Sequence, residues 1–317
     1  MQGLELARKY YETYGEPMLK EQFSDRLDRI AVGLCGEGSE CLGFDDDISR
    51  DHDFEPGFCL WLTEEDERDF GFRLERAYAK LPREFMGVRR GMLSPVGGNR
   101  HGVQTIGAFY EKLLGAPNAP DTTARWLYTS AAMLLTASNG EVWHDPLGKF
   151  SEIRDILKQG YPEDIRRKKL AAHLLLMAQS GQYNYERCVR RGENGAAQMA
   201  ISSFVQHTIS AIFLLNGAYA PFYKWVFRAL AALPILGSLA DGLAALSEMG
   251  NSEAERDGKL AAIEDIAALV LEECRRQGLS KATCRNLETH AYSVQDSIRD
   301  SELRNRYITD GAESILP

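Results

Sequence analysis

Two aspartates one residue apart, Asp51 and Asp53, head an apolar run that continues through Phe58-Cys59-Leu60-Trp61-Leu62. Alternate side chains of an extended strand share a face, so this spacing predicts two carboxylates a few ångströms apart. Carboxylates so placed repel each other unless a cation lies between them. An oxygen-ligating divalent ion such as Mg2+ suits the pair and is commonly shared with substrate phosphates. Upstream, another apolar run, Arg29 to Cys35, gives way to Gly36-Glu37-Gly38-Ser39. Glycine lets the backbone approach phosphate oxygens and a serine hydroxyl adds a donor, so Gly38 and Ser39 are candidates for holding phosphate.

The order of these parts carries a resemblance. A strand, Gly38-Ser39, Gly43, a short connection and then Ser49-x-Asp51-x-Asp53 on the next strand resemble the nucleotidyltransferase superfamily of DNA polymerase β, including its aminoglycoside and minimal members. The wider chain is similar to a bacterial family described as a domain of unknown function, nucleotidyltransferase-like in its first half and helical in its second. The resemblance implies an α+β fold: a polymerase β-type mixed sheet with flanking helices, followed by an all-α helical bundle. It implies Mg2+-dependent transfer of a nucleoside monophosphate, AMP from ATP, to a hydroxyl of a small molecule or protein. Asp51 and Asp53 would then be both the catalytic and the metal-holding pair, with Gly38, Ser39 and Ser49 on the nucleotide. In the related helical domains a lysine reaches the triphosphate. The matching segment here, Asn216 to Trp225, sets the single Lys224 among Tyr219, Phe222, Tyr223 and Trp225, where its stem can be buried and its ammonium aimed into a cleft.

One position departs from the pattern. Active members carry a further acid on a neighbouring strand, and the matching residue in Gly-Val-Gln-Thr-Ile is Gln104, which bears no charge and cannot act as a base. Glu141 or Asp145 would have to substitute from the next element. This departure favours a runner-up, a catalytically weak nucleotide-binding regulator or toxin-antitoxin component.

Asp45, Asp47, Ser49, Asp51 and Asp53 alternate as in a calcium-binding EF-hand, but Arg50 and Pro56 stand where that loop needs Gly and Glu. Asp45 to Asp47 read as a solvated acidic turn, and His52 must face away from the aspartates. Arg285-Asn286-x-x-x-His290 matches the catalytic pattern of HEPN ribonucleases. Tyr185, Arg187, Arg190 and Arg191 are further candidates to line a cleft. The densest basic run, Arg166-Arg167-Lys168-Lys169, reads as a solvated helix face.

Composition narrows the class. The 317 residues suffice for two cores, and 44% hydrophobic with 26% charged residues is ordinary for a soluble globular protein. A net charge of −9 argues against a broad nucleic-acid footprint. The 6 cysteines show no metal-type spacing and read as reduced, mostly buried thiols, which with the acidic amphipathic start predicts a cytoplasmic location. The most apolar window, 225–246, is interrupted by Arg228, Pro234 and Asp241, predicting a buried helix pair and no membrane span.

The elements that must position the site follow from period and punctuation. Helices are expected before residue 28, a strand at Arg29 to Cys35, and a helix from a capping box at Thr63-Glu64-Glu65-Asp66 to Pro82. Residues 86–100, rich in glycine, read as a loop; Gly102 to Ile106 and Glu141 to His144 as strands. From Phe150 onward helical periodicity takes over, near 150–158, 163–180, 183–216, 219–230, 255–277 and 281–306. The expected organisation is a nucleotidyltransferase-like domain over 1–150 and a helical domain over 151–317.

Overall fold

The structure, a computed structural model, describes residues 1–46, 55–90 and 100–315. The fold is α+β with a small mixed sheet, and the chain divides into two compact units. The first contains Met1–Pro120 and Met133–Gln159, the second Asp121–Ala132 and Gly160–Pro317. The units interleave, where a single boundary after residue 150 was expected. The helix Lys149–Lys158 stays with the first unit because Phe150 is part of its core.

The first unit is built on six strands: β1 (Ala31–Leu34), β2 (Cys59–Leu62), β3 (Glu84–Phe85), β4 (Val88–Arg89), β5 (Gly102–Thr105) and β6 (Glu141–His144). Four make a sheet of order β5-β2-β1-β6, with β2 and β6 antiparallel to β1 and β5 parallel to β2. Burial on both faces explains why β1 and β2 read as continuous apolar runs: every residue in them is buried. Leu60 and Leu62 join Val32, Tyr10, Leu19, Phe70 and Leu74 in one core, beneath the helices 3–22 and 64–79. On the opposite face Trp61 stacks on Phe150 at 3.9 Å between ring centroids and meets Phe109 edge-on at 5.6 Å. Thr63 begins the helix after β2 as expected, its hydroxyl accepting from the Asp66 N–H at 3.2 Å and donating to the Asp66 carboxylate at 2.6 Å. Asp66 also receives the Arg29 guanidinium, tying the approach to β1 to this helix. Of the loop expected over 86–100, residues 91–99 lie outside the described residues; at its start β3 and β4 form a hairpin turned by Met86 and Gly87, both at positive φ.

The second unit is helical. Its longest elements are Glu163–Met177, which runs through a π-turn (Ala178–Tyr185) into Glu186–Arg190, then Asn194–Leu215 and Glu253–Arg276. The helix expected to break near Gly181 does not. Gly181 lies inside the π-turn, and a Cβ there would stand 2.4 Å from the Phe204 ring, so the glycine marks close helix packing rather than a break. The chain turns instead at Gly192, φ +76°. Among the described residues one helix, Asn194–Leu215, is long and apolar enough to cross a membrane by length and composition, and 61% of its most apolar window is buried within the protein.

Candidate functional site

β1 ends at Leu34, and the chain leaves the sheet through Gly36 (φ +110°) and Gly38 (φ +124°). Asn139, in the turn before β6, clamps the first of these from both sides. Its Oδ1 accepts from the Gly36 N–H and its Nδ2 donates to the Gly36 carbonyl, each at 2.8 Å. Ser39 opens a short 3-10 turn, Glu40–Leu42, and its hydroxyl does not cap that turn.

The φ of +124° favours glycine at position 38, and an ion pair lies against it. A Cβ at this position would lie 1.9 Å from Arg100 Nη2 and 2.5 Å from both Glu40 carboxylate oxygens. Arg100 Nη2 donates to Glu40 Oε1 at 2.6 Å and to the Glu37 carbonyl at 2.5 Å. The Arg100 and Glu40 side chains are only 14% and 9% exposed. A pair so buried contributes little net stability, because desolvation offsets most of the attraction. It does hold a guanidinium, the side chain best matched to phosphate oxygens, across the Gly38-Ser39 turn. Sequence reasoning missed Arg100. The available signal was an arginine two residues before β5, the strand beside β2.

Ser49, Asp51 and Asp53, with His52, lie outside the described residues, so the geometry leaves the phosphate- and metal-holding expectations for them where the sequence put them. Among the described residues no group of three His, Cys, Asp or Glu side chains could hold a metal ion. The neighbouring strand can be assessed. Gln104 sits on β5 directly opposite Trp61 on β2, so a neutral amide occupies the register position beside the strand that follows Asp53. Neither proposed substitute lies beside β2. Glu141 is on β6, separated from β2 by β1, about 10 Å across the sheet. It is engaged with the Trp143 indole N–H at 2.9 Å and with Arg8 at 3.5 Å. Asp145 accepts from the Ser151 N–H at 2.8 Å, closing the first turn of Lys149–Lys158.

Several expectations are corrected. Asp45 does not sit in a solvated turn: it is half-buried, and its Oδ2 accepts from the Gly3 N–H at 2.7 Å, satisfying a free donor at the start of the first helix. Cys35 and Cys59 are buried as expected, and burial pushes both thiols up to about 12, which leaves them protonated and poor nucleophiles. In the second unit Lys224 is exposed in the first turn of Tyr223–Ala231, where a buried stem was expected. The cation over the Trp225 ring is Arg228, at 5.1 Å, because residues three apart share a helix face. Tyr185 is fully buried, its ring facing Lys259 Nζ at 5.5 Å and its hydroxyl on Asn251, so it lines no cleft. Arg187 lies over Tyr183, and Arg190 pairs with Glu186.

The ribonuclease-like pattern does not assemble. Asn286 caps the helix Leu287–Asp296, Arg285 is exposed, and His290 is fully buried. Both His290 ring nitrogens are engaged, one with the Ser280 hydroxyl and one with the Cys284 carbonyl, each at 2.9 Å. A histidine with no free nitrogen cannot exchange protons with RNA.

The basic run on Glu163–Met177 is not a solvated face either. Lys168 and Lys169 are 0% and 1% exposed. Lys168 Nζ donates to the Gln295 amide oxygen and to the Arg306 and Tyr307 carbonyls at 2.8–3.3 Å. Burial lowers its pKa to about 8. One turn beyond Lys169, His173 Nδ1 lies 3.0 Å from His207 Nδ1, so a single proton serves both nitrogens. Burial, then His207 and Lys169, holds the His173 ring well below its usual pKa, and burial alone brings His207 to about 4. Both folded values lie below the unfolded value of about 6.5. As pH falls from about 6.5 toward 4 the unfolded chain therefore takes up protons that the folded chain does not, and stability declines, by at most about 1.4 kcal/mol per pH unit for each ring. Urea unfolding of the second unit between pH 7 and 5 should show this slope. His207→Gln should flatten it, and an unchanged slope would mean that the pair does not stay neutral.

Residues 126–226 match the model of a family described as a domain of unknown function, DUF4037. A crystal structure of a nucleotidyltransferase-like protein from Exiguobacterium sibiricum is similar over 89% of this chain and 90% of that one, at 14% identity and a TM-score of 0.35. No curated protein matches the chain.

Proposed function

We propose that the first unit binds a nucleoside triphosphate at the Gly38-Ser39 turn and transfers its nucleoside monophosphate to an acceptor hydroxyl. The observation that carries this reading is Arg100. A partly buried guanidinium lies across a positive-φ glycine at the end of a central strand, beside a serine that is not used as a cap. The turn stands in the connection from β1 to the antiparallel β2, and the same connection contains Ser49, Asp51 and Asp53. In the reaction the acceptor hydroxyl gives up its proton to water, its oxygen forms a bond to the α-phosphorus, the bond from that phosphorus to the bridging oxygen breaks, and pyrophosphate leaves with the displaced electron pair. Backbone N–H groups at Gly38 and the Ser39 hydroxyl hold phosphate oxygens, and Arg100 exchanges part of its bonding to Glu40 for a phosphate. Ser49 adds a further hydroxyl. The oxygen donors of Asp51 and Asp53 suit Mg2+, which when bound neutralises the triphosphate and lowers the pKa of the attacking hydroxyl. The protein's share is positioning and charge stabilisation.

A second reading rests on one specific observation, the neutral Gln104 opposite Trp61. Without an acid there, the same site suits a nucleotide-binding regulator with little turnover. One titration tests what the two readings share. ATP, GTP, CTP and UTP, each with and without Mg2+, are added while the thermal midpoint is followed. A ligand of the folded state stabilises it by about 2.7 kcal/mol at one hundred times its Kd. A Mg2+-dependent rise with one triphosphate is expected; no rise with any of the four overturns both readings. Pyrophosphate release in the presence of candidate acceptors then separates enzyme from regulator.

A further inference from the structure

Lys169, in the second unit, is 1% exposed, and a charge so buried is tolerated only beside an opposite one. Its Nζ lies over the Tyr161 ring at 5.3 Å and donates to the Gly311 carbonyl at 3.2 Å and to Glu313 Oε1 at 3.1 Å. The second carboxylate oxygen, Glu313 Oε2, accepts from the Ala131 N–H at 2.9 Å. One carboxylate is thus held at both oxygens, by a buried ammonium and by a backbone donor. The ammonium stands on the helix Glu163–Met177, whereas the carboxylate arrives 144 residues later on a segment outside any helix.

That segment stands between two openings. Glu313 and Ser314 line a cavity of about 180 Å3 with Lys169, Phe213, Leu214 and Phe222, and the same two residues line an open groove with Met199, Gln206 and His207. The Lys169 side chain is 2% exposed and that of Glu313 23%, so solvent reaches the carboxylate but not the ammonium behind it. Gly311 anchors the start of the segment at φ +84°, where a Cβ would stand 2.3 Å from Leu127 Cδ1. Past the Glu313 carboxylate, the hydroxyl of the exposed Ser314 donates to Gln206 Oε1 at 3.2 Å. An exposed bond of this kind adds little, because water replaces it on release.

We infer that Lys169, the Ala131 N–H and the adjoining cavity form a binding site for a small monocarboxylate with a compact apolar body, whose charged end Glu313 occupies until such a ligand displaces it. The ligand carboxylate takes over both bonds that Glu313 gives up, and Glu313 moves into water, so no buried charge is stranded. A neutral guest in the place of Glu313 would leave Lys169 unpaired, and a dianion would bring a charge with no partner. The apolar body packs on Phe213, Leu214 and Phe222, and a cavity of about 150 Å3 already accommodates a benzene ring. Burial of that body favours the ligand over the tethered Glu313, which competes at an effective concentration in the millimolar range. The site is separate from the Gly38-Ser39 turn, and its test reads binding alone.

Benzoate, acetate and toluene are titrated into the full chain at pH 7, with dissociation constants from ligand-detected NMR. Glu313→Ala removes the internal competitor and should bind benzoate at least about tenfold more tightly than wild type does, and at least about tenfold more tightly than it binds acetate. Adding Lys169→Met to that variant should weaken benzoate about 10- to 100-fold, the worth of a charge-assisted hydrogen bond, while toluene stays within about twofold. In wild type, about 50 mM benzoate should move the methyl resonance of Ile315, which lines the cavity, to its random-coil position, and acetate and toluene should not. This wild-type arm carries the test should Glu313→Ala fail to fold. Benzoate bound no more tightly by Glu313→Ala than by wild type, benzoate affinity unchanged by Lys169→Met, or an Ile315 resonance unmoved by benzoate would each overturn the inference.

Discussion

Asp51→Ala is expected to reduce nucleotidyl transfer by roughly a thousandfold, the loss of several kcal/mol of charge stabilisation at the triphosphate. Asp53→Ala should cost about as much, and the double variant little more, because groups that act through one ion lose their effect together. The Mg2+-dependent rise in thermal midpoint should vanish in all three. The ligand-free midpoint should not fall. Two carboxylates one residue apart repel, so removing one relieves the folded state. That contrast separates a lost site from a lost fold. Asp51→Asn and Asp53→Asn keep the shape and remove only the charge, and they should behave as the alanine variants do. Transfer within tenfold of wild type in any single variant would show that this pair is not the site of charge stabilisation, and the nucleotidyltransferase reading would go with it.

The largest stability effect is expected at Trp61. Its side chain is fully buried in the sheet, stacked on Phe150 and edge-on to Phe109. Truncation to alanine removes the ring from both contacts and leaves a cavity beneath the helices Ile106–Leu114 and Lys149–Lys158, a loss of about 3–5 kcal/mol. Trp61→Phe is the informative companion. The indole N–H makes no hydrogen bond among the described residues, so a phenyl ring gives up area but no polar partner, and its cost should stay well below that of the alanine variant. Urea unfolding followed by far-UV circular dichroism, with hydrogen exchange on the β1 and β2 amides, measures both. If Trp61→Ala costs no more than Trp61→Phe, the two faces of the sheet do not depend on this stack.

Local pattern reported local facts well. The apolar runs bounded by glycine became β1, β2 and β5, and the Thr63 capping box became a helix start, because alternation, burial preference and capping each depend on neighbours within a few residues. The α+β class with a small mixed sheet and a helical second part was legible for the same reason. The Gly-Ser turn was found by residue type, yet its guanidinium was not, since Arg100 is 60 residues from Glu40 along the chain. Lys168 and Lys169 misled in the opposite direction. A basic run on a helix is a solvated face by default, and only carbonyls and a carboxylate arriving 127 to 144 residues later make burial tolerable. His290 likewise reads as half of a catalytic pair until Ser280 and the Cys284 carbonyl occupy its ring. Composition and period state what each residue prefers. Whether a charged or titratable group is buried, paired or left open to a ligand depends on partners that only the folded chain brings within 3 Å or so of it.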